Sequence, residues 1–263
     1  MTSTSAPTSL RRNRKRTILA SGVLVAALAT AAFALTLDGS DTATTKPAAQ
    51  PPAVVTEPGE SAPADDSLLA LARREKTDPL AVGRADAPVV MIEYTDFQCP
   101  FCGQCARRTE PDLVRSYVDK GMLRIEWRNF PVFGDESTQA AQAGWAAGQQ
   151  NKFWDFHKVA YSKQRERNAG AFSEKNLLDM ASQAGIEDIK RFKKDMASAE
   201  ARQAVQRDQE EGYGLGVTST PAFLVNGMPI LGAQLASYTT VSSVLTAVRE
   251  ALRRLARVEC SRL

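Results

Sequence analysis

Three of the four cysteines in the chain, Cys99, Cys102 and Cys105, fall within seven residues, and the fourth, Cys260, lies near the end. Sulfur chemistry is the first candidate. Ahead of them, Val89-Val-Met-Ile-Glu-Tyr-Thr95 is a short apolar, β-branched run after Pro88, the pattern of a buried strand, and helical spacing follows. The cysteines therefore sit where a strand hands over to a helix. The unpaired N–H groups and partial positive charge of a helix start favour a thiolate, and the thiolate is the form that attacks disulfides. Two intervening residues let Cys99 and Cys102 come within bonding range there, and Pro100 is tolerated in a first helical turn. Such a pair can cycle between dithiol and disulfide.

Read alone, Cys-x-x-Cys equally describes a structural disulfide or half of a zinc site. Zinc needs two more ligands, and the single histidine is His157 while the single remote cysteine is Cys260. The Cys-x-x-Cys-x-x-Cys spacing echoes part of an iron–sulfur motif, but the next ligand and its following Pro are absent. Neither a metal nor another cofactor is expected.

The elements around the cysteines show how they are delivered. The 263 residues, 43% apolar and 24% charged, suit one substantial domain with accessory segments. The net charge of +3 comes mostly from Arg11, Arg12, Arg14, Lys15 and Arg16, so a nucleic-acid partner has little support. That basic segment, 1–16, precedes an uncharged apolar run, 17–37, long enough to cross a hydrocarbon core of roughly 30 Å. The reading is a single transmembrane helix with a cytoplasmic N-terminus and everything after it exported. Cleavage after the small-x-small pair Ala32 and Ala34 is the competing outcome, disfavoured by the length of the run. Residues 38–66, rich in Pro, Ala and Thr, read as a disordered spacer.

From 67 to 263 the pattern is α/β. A helix over Arg107 to Lys120 stops at Gly121, and Leu123 to Asn129 reads as a second strand, giving a parallel pair with a crossover. Residues from about 136 to 212 show only helical patterns: one face carries Phe153, Phe156, His157 and Tyr161, another begins at a Ser173 cap, and a third carries Ile189, Phe192 and Met196. This is a helical insertion of four or more helices. Ala222 to Val225 and Met228 to Leu231 flank Asn226-Gly227 as a β-hairpin, and a last amphipathic helix covers about Thr240 to Ala256.

The stretch from Ala87 to Cys102 resembles the DsbA-type branch of the thioredoxin superfamily. Phe153-Trp-Asp-Phe-His157 is similar to the start of that family's helical insertion, and Gly216-Val-Thr-Ser-Thr-Pro-Ala-Phe-Leu-Val-Asn-Gly227 to its cis-proline loop and hairpin. The resemblance covers about Leu68 to Ala256. The anchor and spacer resemble tethered members from bacteria that lack a closed periplasm. It implies a thioredoxin fold with an inserted helical domain, Cys99 as the more exposed nucleophile, Cys102 as the resolving thiol, and a reversible Cys99–Cys102 disulfide. Pro221 takes a cis bond after Thr220, and the Thr220 backbone pairs with client strands. Pro100 and Phe101 form the intervening dipeptide, where strongly oxidising members carry His in place of Phe101, so a less oxidising couple is expected. The implied partners are reduced or misoxidised secreted proteins and a quinone-linked membrane reoxidase. A reductase or isomerase, and a redox-inactive peptide-binding module, are the alternatives.

Glu93 stands six residues before Cys99, where such proteins often bury an acid. Burial raises a carboxyl pKa and suits it to accept a proton from Cys102; the alternative is a strand-edge carboxylate paired with a basic residue. His157 reads as a core or cleft histidine rather than a general base. Cys105 reads as a buried thiol, since the last helix of a thioredoxin fold runs away from the active site and would carry Cys260 some 24 Å off.

Overall fold

Every residue of Val89–Thr95 is buried, and the strand they form, β2, lies in the middle of a five-stranded sheet. The computed structural model describes residues 66–230 and 239–260, so the expected cytoplasmic segment, transmembrane helix and most of the spacer lie outside the described residues, as does Leu231. Asp66, the last residue assigned to the spacer, opens a four-residue helix, α1 (Asp66–Leu69). Among the described residues no helix is long and apolar enough to cross a membrane.

The strand order is β1-β3-β2-β4-β5. β3 (Leu123–Asn129) runs parallel to β2, with Val89 opposite Leu123 and Thr95 opposite Asn129. β4 (Ala222–Val225) runs antiparallel on the other side of β2, and turns at Asn226 (φ 45) and Gly227 (φ 75) into β5 (Met228–Ile230). Two central residues with positive φ are what a tight hairpin turn requires, and Asn-Gly supplies them without strain. β1 (Ala81–Val82), antiparallel to β3, was not anticipated, because two residues carry no periodicity.

Between β2 and β3 the chain forms α2 (Pro100–Leu113), which continues as a wider π-helical turn at Val114–Val118 before Gly121 (φ 70) ends the crossover. The helix starts at the cysteines, as their place at the strand-to-helix junction implied, and runs on through most of the helical spacing read over Arg107 to Lys120. Pro111 lies within it, where it removes one N–H from the ladder. Five helices then follow with no strand among them: α3 (Asp135–Gly148), α4 (Phe153–Ala160), α5 (Glu174–Gln183), α6 (Ile189–Met196) and α7 (Ala199–Gly214). This is the expected insertion. Ser173 stands ahead of α5 as predicted, but its hydroxyl makes no capping bond. The last helix, α8, runs Thr239–Cys260, four residues past the expected end.

The sheet separates two cores. On one face Val89, Met91, Ile125, Phe223 and Val225 pack under α2 and α8, which contributes Val244, Val248 and Ala251. On the other, Ile92, Tyr94, Phe130 and Leu224 pack with Val217. The insertion closes a third around Phe97, Trp127, Phe153, Phe156, Tyr161, Phe172 and Phe192. β3 is buried throughout although Arg124, Glu126 and Arg128 alternate along it. These charges are neutralised internally: Glu126 accepts from Arg124 (2.8 Å), Arg128 (3.2 Å) and the backbone N–H groups of Arg73 and Arg74, while Arg128 also donates to Leu71 O. The segment after α1 is thereby strapped over the charged side of β3.

Two glycines of α7 separate packing from propensity. A Cβ on Gly212 would lie 2.6 Å from the Phe130 ring, whereas one on Gly214 would meet nothing within 4 Å. Gly214→Ala should therefore stabilise by up to about 1 kcal/mol, and Gly212→Ala should destabilise by about 1–3 kcal/mol because the ring must move. Thermal unfolding followed by circular dichroism should show midpoints shifted in opposite directions.

Candidate active site

The turn that links β2 to α2 is built around Asp96. Its carboxylate accepts from the Gln98 N–H (2.7 Å), the Val132 N–H (2.7 Å), the Phe133 N–H (3.2 Å) and the Ser137 hydroxyl (2.7 Å). Its carbonyl accepts from the Cys99 N–H (2.9 Å) and the Tyr161 hydroxyl (2.8 Å). A buried charge with four donors is well compensated, and it leaves the chain one exit direction. Cys99 then takes the N-cap position with extended backbone (φ −73, ψ 122), and Pro100 fills the first helical position.

The Cys99 sulfur serves as the cap. The Cys102 N–H donates to it at 3.4 Å, and the Cys99 thiol donates to the Thr220 carbonyl at 3.2 Å. The Thr220–Pro221 peptide is cis. Cys99, Pro100, Phe101, Cys102, Thr220 and Pro221, all singled out in the sequence, are thus brought to one place. The greater exposure expected of Cys99 is hardly visible in this dithiol form, at 3% against 2% for Cys102, while Phe101 is 45% exposed. The cis-proline loop covers the sulfur that the helix start would otherwise present.

The two thiols differ in acidity. Cys99 is lowered to about 7, first by the hydrogen bond from the Cys102 thiol, then, against the cost of burial, by the Thr220 side chain and the backbone N–H groups of Cys102 and Phe101. Cys102 is pushed well up by burial and by the neighbouring Cys99 sulfur. One sulfur is ready to carry charge and the other to keep its proton.

Glu93 is buried, with one carboxylate oxygen lacking any hydrogen-bond partner, and burial raises it to about 8. The alternative of a strand-edge carboxylate paired with a base is not what the fold builds, since β2 is central and Glu93 has no ion pair among the described residues. Its charge is felt by Cys105 and by Glu110, both raised primarily by their own burial, and no bond joins it to Cys102. Cys105 is a free, buried thiol, as expected. Sequence reasoning missed Glu110, whose carboxylate lies 3.5 Å from His157 Nε2. Among Arg107, Arg108 and Asp112 it looks like a solvent-facing charge. In the structure Cys102, Cys105 and Thr109 share the buried face of α2 and Glu110 turns in beside them, a burial that no local pattern announces. His157 is lowered to about 3 by burial, so it is a neutral core residue at physiological pH, as its apolar face suggested. Among the described residues no group of three or more His, Cys, Asp or Glu side chains converges as a metal site.

A helix-capping Cys-x-x-Cys pair against a cis-proline loop, on a mixed sheet with a helical insertion, defines a thioredoxin-fold thiol-disulfide oxidoreductase. The family model described as "Thioredoxin" matches residues 75–246. The chain is 33% identical over 150 residues to the probable disulfide bond formation protein D of Bacillus anthracis, covering 56% of this chain and 69% of that protein. It is 32% identical over 147 residues to the Na(+)/H(+) antiporter NhaA 3 of Salinispora tropica, but that match spans 55% of this chain and only 21% of the antiporter, so the likeness is to one portion of it. Among solved structures, oxidised BdbD from Bacillus subtilis superposes with a TM-score of 0.60 at 23% identity, covering 68% of this chain and 94% of that one. Wolbachia pipientis alpha-DsbA1 superposes with a TM-score of 0.55 at 21% identity, covering 67% and 94%. The chain belongs to the thioredoxin superfamily, in its DsbA-like branch.

Two titrations follow from the site. The thiolate absorbance of the reduced protein near 240 nm should rise with a midpoint of about 7, and Cys99→Ser should abolish that step. For Glu93 the folded chain keeps its proton to about pH 8, whereas the unfolded chain releases it near 4.5. Native protein thus binds more protons between these values, and its stability falls as pH rises through that window. Glu93→Gln should raise the thermal midpoint at pH 8 and change it little at pH 4.

Proposed function

We propose that this oxidoreductase is exported and membrane-anchored, and that it forms or rearranges disulfides in secreted proteins through Cys99 and Cys102. The observation that carries the reading is the asymmetry of the two sulfurs: Cys99 caps α2 beside Thr220 with its thiolate favoured near neutral pH, while Cys102 is buried and proton-retaining. Export and a single-pass anchor, with the N-terminus in the cytoplasm, are supported by the basic segment 1–16 ahead of the apolar run 17–37.

In the oxidising direction, a client thiolate attacks the Cys99 sulfur of the Cys99–Cys102 disulfide. The enzyme S–S bond breaks, a mixed disulfide forms at Cys99, and Cys102 departs and takes a proton. A second client thiolate attacks the client sulfur of the mixed disulfide and expels Cys99, whose acidity makes it the better leaving group. The client gains one disulfide and the enzyme is left as the dithiol, having received two electrons. A quinone-linked membrane reoxidase takes those electrons away. Glu93, buried and with an unpartnered oxygen, is the group that exchanges the Cys102 proton. Thr220 offers its backbone to an extended client segment across the face of Pro221, which favours breadth over side-chain specificity. Phe101, where strongly oxidising relatives carry His, favours a milder couple and keeps isomerisation or reduction as the second reading.

Cys102→Ser in the full chain should accumulate mixed disulfides with exported proteins, visible on non-reducing gels and lost in Cys99→Ser/Cys102→Ser. Capture of nothing would leave a redox-inactive binding module instead. Equilibration with glutathione should place the potential between about −120 mV, the strongly oxidising end, and about −270 mV, that of thioredoxin. A value at the thioredoxin end would count against net oxidation.

A further inference from the structure

The segment between α4 and α5 carries Lys163, Arg165, Glu166 and Arg167, and it is bonded to the residue that precedes the nucleophile. Gln98 accepts from the Asn168 N–H at 2.7 Å and donates its amide to Asn168 Oδ1 at 3.1 Å. The far end of the segment is held by Glu136, which accepts from the N–H groups of Gly170 (2.7 Å) and Phe172 (2.9 Å). Asn168 (φ 54) and Gly170 (φ 82) both adopt left-handed backbone, which fixes the shape of the turn. The loop is therefore preorganised and tied through Asn168 to the residue before Cys99, with Lys163 and Arg167 exposed on it and Arg165 half-buried.

Across the redox helix, Arg107 packs against Gly103, the residue after Cys102, and donates to Tyr161 O at 2.9 Å. Arg165 donates to the carbonyls of Ala160 and Lys163. Its own charge is disfavoured first by burial and then by Arg107. Contacts with the last carbonyls of α4 account for these two arginines as helix-end partners. Lys163 and Arg167 have no such employment: both are exposed, and the Arg167 guanidinium lies over the Phe133 ring at 4.4 Å, a placement that leaves its N–H fork open at the edge. None of the four cations has an ion-pair partner among the described residues. The exposed carboxylates in the same neighbourhood are Asp135, Glu166 and Asp179; Asp179 shares a cavity with Lys163, Arg165 and Glu166 but is paired with Lys175, and Glu136 is occupied by backbone. Four cations thus stand around the loop against three exposed carboxylates, one of which is already paired with Lys175.

We propose that this rim reads acidic clients: carboxylates a few residues from the client cysteine are met by Arg167 and Lys163, with Arg107 and Arg165 behind them. The inference rests on the oxidoreductase reading above and adds a specificity to it. A planar guanidinium fork suits a carboxylate in two-point contact, and a fixed loop loses little freedom when it binds one. Main-chain pairing at Thr220 then supplies general affinity, while the rim biases which exposed cysteines are served first.

The test uses the oxidised full chain in a nonionic detergent and three dithiol peptides that differ only in flanking Glu, Gln or Lys residues. The ratio of kcat/KM for the Glu peptide to that for the Lys peptide should be about tenfold at low salt and fall toward one near 0.5 M salt, as expected for partly exposed charges. In Lys163→Gln/Arg167→Gln the ratio should fall toward one at low salt too, with the thermal midpoint reporting an intact fold. A ratio near one in the wild type, or a tenfold ratio that survives in the double variant, overturns the proposal. So does a ratio near one accompanied by binding to phosphatidylglycerol vesicles that the double variant loses, which would assign the rim to lipid. Failure to oxidise even the Gln peptide would sink the oxidoreductase reading itself, an outcome distinct from equal rates with all three.

Discussion

The first turn of a helix leaves backbone N–H groups that no carbonyl of the same helix reaches, and here the sulfur of Cys99 takes one of them. That single contact ties the proposed redox chemistry to the fold. It requires a helix to begin at Pro100, which in turn requires the chain to leave β2 in one direction, and Asp96 enforces this by gathering four donors from the turn, the segment after β3 and the start of α3. The insertion is therefore more than an appendage. Ser137 belongs to its first helix and Tyr161 follows its second, so the shape of the turn at Cys99 depends on the insertion being packed in place.

The side of the sheet beneath α2 bears the cost of this arrangement. Glu93, Cys105 and Glu110 are all pushed toward their neutral forms by burial, and a chain selected for stability alone would place apolar side chains there. The opposite policy governs β3, where Arg124, Glu126 and Arg128 are buried but fully paired and serve to strap down the N-terminal segment. One buried set is charged, compensated and structural; the other is pushed toward neutrality by burial and includes a thiol on the redox helix. Uncompensated polar groups next to reactive ones are where function is expected to override stability.

How much of this could be read beforehand follows from the range of each interaction. β2 and β3 were legible to the residue because a buried strand needs an unbroken apolar or alternating run, and the β4–β5 hairpin was legible because Asn-Gly meets a backbone demand that few dipeptides meet. Cys99, Cys102, Thr220 and Pro221 were legible as local motifs. β1 was not, since its two residues are strand only because β3 has a free edge. Glu110 was not, since its burial is decided by α4 packing against a helix whose sequence looks solvent-facing. The bond between Gln98 and Asn168 spans 70 residues and has no local signature at all.

The order of the forces on Cys99 bears on what sets its reactivity. The Cys102 thiol comes first, and the backbone N–H groups of Cys102 and Phe101 come last. A dipeptide side chain can add to that list only if it carries a donor, as His would and Phe does not. With Phe101 pointing to solvent, the acidity of Cys99 is governed mainly by whether Cys102 keeps its proton, and burial beneath the turn is what makes it do so. The two sulfurs are thus set against each other by one cause: the same close packing that buries Cys102 in the first turn of α2 supplies the hydrogen bond that stabilises the charge on Cys99. A change that loosened this packing would raise one acidity and lower the other together, so the pair, and not either cysteine, is the unit that titrates.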